Sequence, residues 1–283
     1  MSTPLDEPVR DLDTLARDLD KLARDLDAEQ RALDTLVAGL TPAQWAAPTP
    51  SAGWAVRDHI AHLAHFDDAA ALAITDAAAF TREVDAAMRD VAGYEARYLA
   101  RGRGLAPAGL LDWWRAARQR LGAAAATLAP KARVAWFGPS MSAMTFLGAR
   151  LMEAWAHGHD VTDALRVPRQ ETDRVRHVVV IGLRTRGHSY VVRGLAAPTA
   201  PVRVELTLPS GAGLVDGDER AADRISGSAA DFCRVVTHKR HVDDTGLVVV
   251  GPAAREWMLV AQAFAGPPAP GRQPGQFPVT GSA

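Results

Sequence analysis

A chain of 283 residues exceeds the usual size of one domain, so two are expected. Lys and Arg total 32 against 33 Asp and Glu, a formal net charge of −1, and this balance argues against nucleic acid as the main partner. Hydrophobic residues make up 48%, enough for real cores, yet no run of about 18 uncharged apolar residues offers a membrane span. The single cysteine, Cys233, excludes a disulfide framework within the chain and fits a reducing cytosol. It lies in the apolar run Phe232-Cys233-Arg234-Val235-Val236, where a packed, inert thiol is expected rather than a nucleophile. The acidic N-terminus lacks a signal-peptide pattern, so a cytoplasmic location is expected.

Residues 1–7 read as disordered. From Leu12 a heptad pattern runs through Leu15, Leu19, Leu22, Leu26, Leu33, Leu36 and Leu40, interrupted at Glu29. It predicts one amphipathic helix over 8–40, the first of a bundle. A homodimer seam along this helix is the alternative, with fewer than four clean heptads behind it. Thr41-Pro42 opens a turn that continues through Pro48-Thr49-Pro50-Ser51-Ala52-Gly53. A second helix is predicted over 54–77, with Ile60, Leu63, Phe66, Ala70 and Ile74 on its apolar stripe. Residues 81–106, polar and bearing Arg101-Gly102-Arg103-Gly104, read as a long connection or lid. A third helix is predicted over 107–129 and is closed by Pro130. Trp136-Phe137-Gly138-Pro139 forms a turn, and Ser140 is the expected N-cap of a fourth helix over 141–166.

That fourth helix carries the most informative stretch, Glu153-Ala154-Trp155-Ala156-His157-Gly158-His159-Asp160. Glu153 and His157 stand one turn apart, so both side chains leave the same face and can grip one divalent metal. Phe146, Leu147, Leu151, Met152, Trp155, Val161 and Leu165 make the helix apolar over much of its girth. Charged groups on such a buried helix need partners, and a metal is one. His62 on the second helix is assigned as the third donor, with His59 and His65 one turn to either side. Asp160, one turn beyond His157, fits a group that orients a ligand from behind.

After Pro168 the composition changes. His177–Leu183 reads as a short buried helix, and Val202–Leu208 alternates with period two as a half-buried strand. Asp216-Gly217-Asp218 signals a turn. Arg224-Ile225-Ser226-Gly227 suggests a strand end, 228–238 a helix, Gly246–Gly251 a strand and Ala253–Phe264 a helix. The result is an α+β module, followed after Gly266 by a Pro/Gly-rich tail expected to be loosely ordered. The predicted divisions are an N-terminal helical extension over 1–20, a helical domain over 21–167, the α+β domain over 168–266 and the tail over 267–283.

Trp54-Ala55-Val56-Arg57-Asp58-His59-Ile60-Ala61-His62-Leu63 resembles a signature of the DinB-like superfamily, and Glu153-x-x-x-His157-x-x-Asp160-Val161 resembles its second signature. Together with the C-terminal module, they make the chain similar to the mycothiol-dependent maleylpyruvate isomerase family of actinobacteria, and within it to a branch of metal-binding proteins. The likeness runs from about residue 20 and takes in Ser226–Cys233, Gly251–Met258 and Ala261–Pro268. It implies an N-terminal DinB-like four-helix bundle that holds zinc or another divalent ion through His62, Glu153 and His157. It also implies a C-terminal sterol-carrier-like α+β domain that closes over the metal, with an arginine serving the substrate. By register from Gly227 and Asp231 that arginine is Arg240, with Lys239 and Arg234 as rivals; Lys239-Arg240 replaces the usual Gly-Arg pair. Trp54, Lys239 and Arg240 are the residues expected to contact the thiol cosubstrate.

Three protein ligands leave an open position on a zinc-like ion. A thiol bound there loses its proton and becomes a nucleophile near neutral pH. The resemblance makes mycothiol that thiol, and the expected partners are a small electrophile and this low-molecular-weight thiol. Isomerisation or S-transfer would follow, with Arg240 holding a carboxylate or enolate. Two alternatives stay open: hydrolysis by metal-bound water, and a non-enzymatic protein that binds metal and an apolar ligand.

Overall fold

The computed structural model describes residues 12–276, and side chains from Arg17 onward. These residues fall into two compact units that part between Leu165 and Arg166. The disordered start expected over 1–7, the predicted helix start at residue 8 and the last residues of the tail lie outside the described residues.

In the first unit α1 spans Leu12–Ala38 without a break at residue 20. Its heptad leucines are used inside the chain: Leu19, Leu22, Leu26 and Leu33 are buried, and the helix packs on the later helices of its own bundle. Glu29, the interruption in the pattern, is itself buried. The Thr41-Pro42 segment read as turn holds a one-turn helix, α2 (Pro42–Trp45). Thr41 and Gln44 form a capping box around it, with Gln44 Oε1 accepting from Thr41 N at 2.9 Å, and Trp45 is driven fully into the core.

Helix α3 (Val56–Thr75) is central, and its Ile60 and Leu63 join Trp45, Leu110, Trp114 and Val161 in the main core cluster. The predicted connection over 81–106 is instead two helices, α4 (Ala77–Arg89) and α5 (Val91–Gly104). The signals were local and were outweighed by the glycines. Asp76 and Asp90 are N-caps, accepting from Ala79 N and Gly93 N at 2.9 and 2.8 Å. Phe80, Ala87, Tyr98 and Leu99 form the buried sides. Gly102 is a packing residue rather than a breaker: a Cβ there would stand 2.3 Å from the Cβ of Ala61 on α3.

Helix α6 (Pro107–Ala125) packs along α3. A two-stranded hairpin follows, β1 (Arg133–Val134) with β2 (Met141–Ser142), and the Trp136–Pro139 turn lies between its strands. Helix α7 (Ala143–Leu165) starts two residues later than predicted. Ser142, not Ser140, caps it, accepting from Thr145 N at 3.2 Å, while Ser140 Oγ accepts from Arg133 Nε. Helices α1, α3, α6 and α7 are thus the four long members of the bundle, tied at mid-height by polar side chains. Asp67 on α3 accepts from Gln30 of α1 at 2.8 Å and from Trp114 of α6 at 3.2 Å, and it faces Arg150 of α7 at 3.8 Å.

The second unit begins with α8 (Val175–Arg184), the segment read as a buried helix, and a short α9 (Arg186–Val191). Its sheet has β3 (Val202–Thr207), β4 (Gly213–Asp216), β5 (Asp223–Ser228) and β6 (Val248–Val250) in the order β4-β3-β5-β6. Strands β3 and β5 run parallel, and the other pairs are antiparallel. The exposed strand β4 lacks the alternation that marks β3 and was not predicted. Gly217 turns the chain after it with φ 85°, and a Cβ there would meet the carbonyl oxygen of Val202 at 2.3 Å.

Val202, Val204, Leu206 and Ile225 form the buried face of the sheet. Helix α10 (Ala229–Val236) packs on that sheet and on α8, and α11 (Pro252–Val260) ends four residues before the predicted Phe264. Cys233 is buried, its Sγ donates to the Val175 carbonyl, and burial pushes its thiol well above the usual range, as fits an inert packed thiol. The tail, expected to be loose, is tied down as far as it is described. Gln262 bonds Pro267 and Ala269, Arg193 donates to the Ala269 carbonyl at 2.8 Å, and Gly275 N donates to Asp244.

Candidate metal centre

The first turns of α3 and the middle of α7 meet so that three predicted donors converge. His62 Nε2 lies 3.4 Å from Glu153 Oε2, and His157 Nε2 lies 3.2 Å from the same oxygen. The two imidazole rings are 4.3 Å apart, and one ligand atom from each of the three residues lies within 4.8 Å of the others. All three are half-buried, so the site is reachable from solvent. His65 stands apart from this group: its Nε2 meets the Tyr94 hydroxyl at 2.7 Å, and that hydroxyl donates to Glu83.

The charge states suit a cation. Burial pulls His62 down to about 3, and the neighbouring charge of His157 adds to this, so the ring is neutral at pH 7. Burial pushes Glu153 up, but the hydrogen bonds with His157 and His62 and the charges of His157 and Arg150 outweigh it and hold the carboxyl well below its usual range. Two imidazoles and one carboxylate are the donor set of a three-ligand zinc site with an open position. The residues present therefore fit a zinc-like divalent ion.

The surroundings brace the donors. Tyr98 of α5 meets His62 Nδ1 at 3.3 Å, a tertiary contact between helices that no local sequence signal carries. Trp54 walls the site: its ring lies 5.8 Å from His157 with the planes 14° apart, and 5.5 Å from His62. It also lines a cleft of about 640 Å³ with Thr49, Gly53, Arg57, Asp58 and Arg103. Asp58, the acid of the first signature, does not join the donors. It accepts from Ala55 N at 2.9 Å and from Arg103 Nε at 2.8 Å, while Arg103 also donates to the Gly53 carbonyl.

Asp160 is fully buried and accepts from Ser51 Oγ at 3.0 Å. Its Oδ2 lies 3.9 Å from His59 Nδ1, and it is His59 that meets His157 Nδ1, at 2.8 Å. His59, His157 and Asp160 form a second group of closely spaced donors. Sequence spacing could have offered His59 only as a neighbour on the helix, since its contact with His157 is tertiary.

Lys239 and Arg240 belong to the second unit, in the turn after α10. Their amides both donate to the Arg234 carbonyl, Lys239 is buried, and Arg240 is half-buried. Arg234 is engaged in ion pairs with Glu171 and Asp231 at 2.8 and 2.7 Å, which explains its presence without a substrate. Among the described residues no helix is long and apolar enough to cross a membrane.

The chain is similar to known proteins. The family model described as the mycothiol maleylpyruvate isomerase N-terminal domain matches residues 8–162, beginning ahead of the expected start near residue 20. Two uncharacterized proteins from Mycobacterium tuberculosis, of strains CDC 1551 / Oshkosh and ATCC 25618 / H37Rv, are each 44% identical over 239 residues, covering 84% of this chain and 93% of theirs. The crystal structures of the mycothiol-dependent maleylpyruvate isomerase and of its histidine-to-alanine mutant each align with a TM-score of 0.52 at 18% identity, over 88% of this chain and 95% of theirs. At that identity the likeness speaks for the fold, and the expected helical bundle followed by an α+β domain is the fold present. Because the family match covers more than half of the sequence, with His62, Glu153 and His157 all inside it, this chain belongs to the mycothiol maleylpyruvate isomerase N-terminal domain family.

Proposed function

We propose that this protein is a divalent-metal-dependent enzyme that uses a low-molecular-weight thiol of the mycothiol type either to isomerise a small electrophilic substrate or to transfer the thiol's sulfur onto it. The observation that supports it most is the convergence of His62, Glu153 and His157, with His62 neutral and Glu153 ionised as a cation needs. A zinc-like ion bound there would supply Lewis acidity that favours the thiolate form of a bound thiol.

The chain's own residues do the rest. His62 and His157 present ring nitrogens, and Glu153 lowers the net charge that a cation and an anionic sulfur would otherwise build up. Trp54 covers one side of the donors and keeps water from that face, and its ring is the surface we assign to the thiol cosubstrate. Asp160 and Ser51 hold the loop before α3 against α7. Arg240 is the guanidinium we assign to the electrophile's carboxylate or developing enolate, with Lys239 beside it.

The test is calorimetry of mycothiol against zinc-loaded and zinc-free protein. Binding that requires zinc and disappears in His157→Ala supports the reading; no heat with the loaded protein sinks it. Turnover of ester or amide substrates without any thiol would favour hydrolysis by the same donors.

A further inference from the structure

His59 is fully buried on α3, and both of its ring nitrogens are engaged: Nδ1 meets His157 Nδ1 at 2.8 Å, and Nε2 meets Thr49 Oγ1 at 2.9 Å. Thr49 Oγ1 in turn donates to the Trp54 carbonyl at 3.0 Å. This chain of contacts has one consistent direction when His157 serves as a ligand. To offer the Nε2 lone pair beside Glu153, a neutral His157 must carry its proton on Nδ1. That proton needs an acceptor, and His59 Nδ1 is in place for it. His59 then carries its own proton on Nε2 and gives it to Thr49 Oγ1. The hydroxyl proton of Thr49 goes to the Trp54 carbonyl, which can only accept and so ends the chain.

We propose that His59 is a positioning residue of the metal centre, which accepts the Nδ1–H of His157 and so fixes that ligand's tautomer and ring angle, with Thr49 fixing His59 in the same way. The inference rests on the metal reading of His62, Glu153 and His157. It assigns His59 a place behind a ligand rather than on the ion, because neither of its nitrogens is left to face the cation. Residue Trp54 closes the arrangement: its carbonyl ends the chain that orients His157, and its ring covers the same imidazole. Groups that orient metal-bound histidines in this way commonly change metal affinity 10- to 100-fold when removed.

The experiment measures zinc affinity by chelator competition on the full chain, with the proton NMR of the zinc-loaded protein and its zinc X-ray absorption. His59→Leu should weaken zinc about 10- to 100-fold and abolish a low-field, slowly exchanging His157 Nδ1–H signal, with the number of zinc ligands unchanged. His59→Asn puts an amide oxygen where Nδ1 accepts, and it should recover most of the affinity and the signal. Should His59→Leu fail to fold, Thr49→Val against Thr49→Ser makes the same comparison more gently, with serine restoring what valine loses. Unchanged affinity in His59→Leu and Thr49→Val, asparagine no better than leucine, or the loss of one nitrogen from the zinc shell would each overturn the inference. If the parent protein itself takes up no zinc, the metal reading has failed and this inference falls with it; zinc uptake by the parent with indifferent variants defeats the inference alone.

Discussion

Glu153 and Asp67 enter the same bundle as carboxylates, on α7 and α3, and their surroundings drive them apart. Glu153 has two imidazole nitrogens at 3.2 and 3.4 Å and is held well below the usual carboxylate range. Asp67 has an amide and an indole N–H on one oxygen, while its other oxygen and the Nε of Arg150 make no hydrogen bond at a separation of 3.8 Å. Burial, only partly countered by Arg150, pushes Asp67 up to about 6. One cluster is half-buried and gathers groups of the kind that can bind a cation; the other is sealed and gathers one polar residue from each of the other three long helices, two of them hydrogen-bonded to Asp67. A buried acid is therefore not by itself a mark of chemistry. What distinguishes the functional candidate is the donors it is grouped with and the access it keeps.

The comparison breaks first at the metal. His157→Ala should remove most bound zinc, and equal metal content in variant and parent by elemental analysis would place the ion elsewhere. Asp67→Ala should leave zinc stoichiometry intact but lower stability by about 3 kcal/mol, because Arg150 stays buried without its counter-charge; urea unfolding measures this. If Asp67→Ala instead loses zinc in the folded state, the two clusters are one.

Smaller effects sharpen the contrast. Gly102→Ala must push α5 from α3, and a loss of about 1–3 kcal/mol is expected by thermal or urea unfolding. The pH dependence of Asp67 has a definite sign. Its folded value of about 6 lies above its unfolded value of about 3.9, so between these the folded state holds more protons and its stability contribution falls as pH rises. Below about 4 the contribution is fully present, and above 6 it no longer changes. In metal-free protein Asp67→Asn should remove this fall, raising the slope of stability against pH by up to ~1.4 kcal/mol per unit between pH 4 and 6. Unchanged slopes would mean that Asp67 is ionised throughout. Smallest of all, Tyr98→Phe removes the hydroxyl that meets His62 Nδ1 and should weaken zinc about tenfold, read by the same chelator competition.

How much of this was visible in the sequence depends on how local each feature is. Glu153 and His157 sit one turn apart on a single helix, so their spacing alone places them on one face, and His62 entered through its flanking signature. The leucines of α1 announced a helix, but only the packed bundle shows that Leu19 to Leu33 are spent on it. Helices α4 and α5 were missed because Gly102 and Gly104 resemble punctuation, whereas Gly102 is small in order to admit Ala61. Tyr98, Thr49 and the role of His59 depend on contacts between elements 10 to 98 residues apart, which no periodicity encodes.

Asp58 carries a last consequence. It belongs to the recognisable motif, yet its carboxylate is occupied with the start of α3 and with Arg103 at the end of α5. The motif is thus half carpentry. A homologue that kept the tryptophan and the aspartate but exchanged the histidine at position 62 would keep the contacts of this scaffold and would be retrieved by the same pattern, while lacking one donor of the proposed metal site. Sorting such silent copies from working ones requires reading His62, Glu153 and His157 together.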